Sequence, residues 1–122
     1  MSETSPGTDP TTTATRDIAD VAAVEVITTA AVHLMSAAAV KCGLAEDGPT
    51  GGGADFLDLD EARKLIDALA GLVTASVPYL GDHHARALRD GLRSVQLAFR
   101  EASPFPDEIG KGPGEKWTGP VT

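Results

Sequence analysis

Asp82, His83 and His84 stand in a row, and of all the residues in this chain they are the ones that most invite a metal ion. Helical zinc pairs use i,i+3 or i,i+4 spacing, whereas neighbours on a helix point about 100° apart. The expectation is therefore exposed first-turn side chains, and no metal ligand is assigned. His33 lies inside a long apolar run and reads as a core or interface histidine; at a symmetric interface it would make association pH-sensitive. Catalysis by Asp67 would need a second acid, base or nucleophile held beside it, and none accompanies it. Asp67 is expected instead as a structural ion pair, with Arg93 across the molecule or, in the less favourable orientation, with Arg63 four residues earlier. No catalytic or cofactor-binding residue is assigned, and no cofactor is expected.

The arginines form the one patterned set of charges. Arg86, Arg89, Arg93 and Arg100 recur at steps of three, four and seven, which places them on one face of a helix. Such a strip suits an acidic partner or RNA phosphates, although no aromatic residues are interleaved with it. Cys42 is the only cysteine, which excludes an internal disulfide framework and a cysteine-based zinc site; a buried, inert thiol is the reading. Trp117, the only tryptophan, sits in a Pro/Gly-rich stretch where core packing does not account for it, so it is a candidate anchor for a partner's pocket. The triple glycine at 51–53 lacks the Lys-Ser/Thr of a phosphate loop and the G-x-G-x-x-G spacing of a dinucleotide fold, and reads as a connector.

Three stretches poor in helix breakers must position these residues. Helices are expected at about 17–43, 58–77 and 82–102, joined by a Gly-rich loop at 44–57. Residues 1–16 read as a disordered arm, and residues 103–122 as a disordered Pro/Gly tail. Asp58 is a good N-cap, and Glu61 supplies the acidic half of a capping box. In the second helix Leu59, Ala62, Ile66, Leu69 and Val73 form an apolar stripe; Leu88, Leu92, Val95 and Phe99 form that of the third. Gly91, inside the third helix, suggests close packing.

The first helix is different, being apolar on nearly every side from Val26 to Val40. Its uncharged run between Glu25 and Lys41 is fifteen residues, short of the roughly twenty that span a bilayer, so burial in a bundle or oligomer is the expectation and not a membrane. The fold class is therefore all-α: a long apolar helix packed on an α-hairpin, completed by oligomerisation, with disordered termini. Its first helix carries more apolar surface than one short hairpin can cover, hence a homodimer or higher oligomer.

With the elements in order, residues 24–101 resemble the bacterial family called domain of unknown function 1844. The likeness rests on Asp58, Leu59, Ala62, Ile66, Asp67 and Leu69 in the second helix, and on Leu92, Arg93 and Phe99 in the third. It implies a small helical cytoplasmic protein without an assigned activity. The resemblance also implies a gene context, since actinobacterial members are often encoded near translation initiation factor three, which brings the ribosome in as an alternative partner.

Charge narrows the partners. The net charge of −8 argues against non-specific nucleic-acid binding by the whole molecule, and no specific DNA binding is expected. Residues 17–80 carry ten acids against three bases, whereas residues 82–101 carry three acids against four arginines. The N-terminus has neither a basic region nor an apolar core of the secretory kind, so a cytoplasmic setting is expected. Together these features suggest a non-enzymatic, self-associating interaction or adaptor protein. The alternative is a translation-associated factor that touches the ribosome or RNA through the arginine strip.

Overall fold

Where proline and glycine thin out, the chain folds into three long helices. The computed structural model describes residues 17–44 and 56–122. The helices are α1 (Ala23–Lys41), α2 (Leu59–Ser76) and α3 (Asp82–Ala102), followed by a single turn, α4 (Glu115–Thr118). No strand occurs among the described residues, and α1 packs on the α2–α3 hairpin as an all-α three-helix bundle. The N-terminal arm (1–16) and residues 45–55 of the Gly-rich loop lie outside the described residues.

The boundaries follow local chemistry. Asp17 caps a 3-10 turn, Ile18–Asp20, by accepting from the Ala19 amide at 2.9 Å. The chain is then extended at Val21 and Ala22, so α1 starts at Ala23, later than expected. It closes on Gly43 at φ +86°, with the Leu44 amide donating to the Ala39 carbonyl and that of Gly43 to Val40, the two bonds of a Schellman cap. Asp58 caps α2 through the Glu61 amide at 3.2 Å. The return half of the capping box does not form: the Asp58 amide donates to the Lys41 carbonyl at 2.8 Å, and the Glu61 carboxylate pairs with Lys64. The first bond ties the start of α2 directly to the end of α1. Pro78 ends α2 through a 3-10 turn, Val77–Tyr79, and the N-cap of α3 is Gly81, leaving Asp82 as its first helical residue.

The core is built from the expected stripes. Ala62, Ile66, Leu69 and Val73 of α2 meet Leu88, Leu92, Val95 and Phe99 of α3, all buried. Gly91 permits a close approach of α1 to α3, since a methyl group there would overlap the Met35 thioether of α1. From α1 itself only Ala31 and Ala38 are buried, with Cys42 at its C-cap. Burial pushes the Cys42 thiol above its ordinary value.

Residues 103–122 correct the expectation of an unstructured tail. They fold back across the hairpin as a strap, with Pro113, Gly114, Glu115 and Val121 buried. Glycines at positive φ (Gly110, Gly114 and Gly119) make the turns. The buried Glu115 carboxylate holds the strap's shape by accepting from the Gly112 amide at 3.1 Å and the Val121 amide at 3.2 Å.

Candidate functional site

Four side chains of the hairpin seize the strap. Arg63 donates to both carboxylate oxygens of Asp107 at 3.1 Å, and its guanidinium lies 5.0 Å from the centre of the Phe99 ring. Asp67 accepts from the Gly114 amide at 2.7 Å. Gln96, buried on α3, donates to the Pro113 carbonyl and the Thr118 hydroxyl, both at 3.1 Å. Arg93 donates to the Thr122 main-chain oxygen at 3.2 Å. The expected Asp67–Arg93 ion pair is therefore not formed, and neither is the Arg63–Asp67 pair. Each of the three groups is turned to the strap, because the strap's backbone and Asp107 come within hydrogen-bonding reach.

Trp117 is also held within the molecule. Its ring lies over Gly71 of α2, 3.3 Å from where a β-carbon there would stand, and Lys116 sits 4.3 Å from its centre. A free anchor reaching out to a partner's pocket is thus replaced by a ring wedged between strap and hairpin, still 40% exposed.

Between the strap, the end of α2 and the middle of α3 opens a cleft of about 440 Å3. Val73, Val77, Leu92 and Val121 supply apolar wall, the Trp117 ring one flank, and Arg89 and Arg93 the cationic edge. Among the described residues no Asp, Glu, His or Cys lines it. The arginine strip is divided by this arrangement. Arg86 and Arg89 are exposed, Arg93 is exposed but bonded to Thr122, and Arg100 is half-buried beside Asp107 and Glu115. The cleft could not be anticipated from spacing, because a third of its lining residues come from a segment whose Gly/Pro content masked its order.

The histidines do not assemble. His83 and His84 are exposed, with ring centres 5.8 Å apart, and no group of three or more His, Cys, Asp or Glu suited to a metal occurs among the described residues. His33 is not a core residue; it points outward from α1. Around it lie exposed Val26, Thr29, Ala30, Val32 and Ser36, an uncharged surface. By length and composition alone α1 would suffice to cross a membrane, and only 11% of its most apolar 18-residue window is buried.

Fold and site together define a small three-helix bundle whose C-terminal strap encloses a cationic, apolar-walled cleft. Residues 23–101 match the family described as Domain of unknown function (DUF1844), and the chain belongs to that family. The match ends before the strap, so the family's shared part is the bundle. No curated protein and no solved structure matches the chain.

Proposed function

We propose that this protein is a non-enzymatic helical interaction module that self-associates through the outer face of α1. The observation that carries the reading is the exposure of an uncharged, apolar helix face on an otherwise acidic protein: Val26 is 44% exposed and Val32 50%. Exposed valines gathered on an uncharged helix face favour an interface. A second copy is the favoured occupant, because two chains of net charge −8 repel least where α1 is uncharged. Spanning a bilayer is disfavoured by packing. To enter lipid, α1 would have to leave both hairpin helices, against which it packs.

Light scattering of the purified chain should return about twice the 12.5 kDa monomer mass. Val26→Glu with His33→Glu, two exposed positions on that face, should return the monomer with unchanged helix content. A compact monomer from the unaltered chain would refute self-association.

A second reading, contact with the ribosome, rests on Arg86 and Arg89, which have no hydrogen-bond or ion-pair partner among the described residues. Two free arginines make a small phosphate footprint, since binding strength scales with the number of phosphates neutralised. Co-sedimentation with ribosomes that falls with salt, and is lost in Arg86→Glu/Arg89→Glu, would support it; its absence at low salt would end it.

A further inference from the structure

The strapped cleft has the composition of a ligand site that self-association does not use, for none of the residues lining it lies on α1. Its volume of about 440 Å3 falls at the small end of the roughly 300–1,000 Å3 typical of small-molecule sites. Its chemistry is two-sided. Val73, Leu92, Val121 and the Trp117 ring offer an apolar bed, and Arg89 and Arg93, one helical turn apart on α3, stand along one edge.

That edge is cationic, with Arg93 in part engaged and Arg89 open. Arg89 has no hydrogen-bond or ion-pair partner among the described residues, and Arg93 commits one hydrogen bond to Thr122 out of five N–H donors. Among the described residues no Asp or Glu side chain lines the cleft, although the chain as a whole carries a net charge of −8. An acidic protein thus keeps a cleft whose charged lining, among the described residues, is two arginines. A guanidinium at the edge of an apolar cleft can bind a carboxylate through paired, charge-assisted N–H donors.

We propose that the cleft binds a small organic carboxylate with an apolar body, its carboxylate on Arg89 and Arg93 and its body between Trp117 and the Val73–Leu92 wall. Inorganic anions lack the body, and neutral apolar molecules leave Arg89 without a counter-charge. Thr74 and Thr118, both exposed, are also on the lining.

Decanoate is the probe, with decanol as its uncharged counterpart. Trp117 is the chain's only tryptophan, so its emission reports the cleft directly. Titrating the full chain with decanoate below its micelle concentration should give a saturable change in that emission. Decanol, and decanoate with the Arg89→Gln variant, should bind about tenfold or more weakly, because a charge-assisted hydrogen bond is lost. Thr74→Phe, at an exposed position on the cleft wall, should block decanoate while leaving helix content unchanged. The proposal is overturned by the absence of saturation in the unaltered chain, by equal affinity for decanol, or by undiminished binding in either variant. Scattering mass and emission titration read separate surfaces, so each proposal can fail without the other.

Discussion

Asp67 is a carboxylate whose partner is a backbone amide. Its Oδ1 lies 2.7 Å from the Gly114 nitrogen, and Gly114 is buried, so no water can easily replace the bond. Asp67→Ala should therefore lower the unfolding free energy by about 1–3 kcal/mol, the cost of leaving a buried donor unsatisfied, and Asp67→Asn by less, since the amide oxygen still accepts. Chemical denaturation of the purified variants measures both. Because Arg93 bonds to Thr122 and not to Asp67, the losses in Asp67→Ala and Arg93→Gln should add to within about 0.5 kcal/mol in the double variant. A larger coupling would restore the ion pair that residue spacing alone suggests.

At the scale of elements, the strap is the part with the most exacting geometry. Gly114 combines φ +76° with a tight fit: a β-carbon there would come within 2.9 Å of both the Ala70 β-carbon and the Gln96 Nε2. Gly114→Ala should destabilise by about 1–3 kcal/mol, from the left-handed backbone and the overlap together. Hydrogen exchange should show the loss first at the amides of Gly119 and Val121, with those of Leu69 and Leu92 still protected; equal loss in all four would mean that the strap and bundle unfold as one. The helices themselves were legible, because Ile66, Leu69, Leu92 and Phe99 recur at helical steps and Asp58, Gly43 and Pro78 mark their ends. The strap was not. Its order comes from Asp67, Gln96 and Arg63 reaching it from 17 to 47 residues away, and a local composition of Pro and Gly carries no trace of such partners. Arg89 and Arg93 were legible as a helix face, but their conversion into one edge of a cleft needed the strap.

For the whole molecule, the balance between charge and apolar surface decides how many copies make the stable unit. The bundle encloses a small core, with α1 contributing only two buried alanines along its length, and small cores are often completed by association. If the second copy covers the outer face of α1, unfolding and dissociation are linked by mass action, and the thermal midpoint must depend on concentration. A tenfold rise in protein concentration should raise it by about 3–5 °C for a chain of this size. The Val26→Glu/His33→Glu variant should melt at one temperature across the same range, below that of the unaltered chain. Salt sharpens the distinction. Added salt screens the mutual repulsion of two acidic chains and so favours their contact, whereas it weakens any contact made through Arg86 and Arg89 to an anionic partner. A midpoint that rises with both protein concentration and ionic strength therefore supports pairing through the uncharged helix, and one indifferent to concentration removes it.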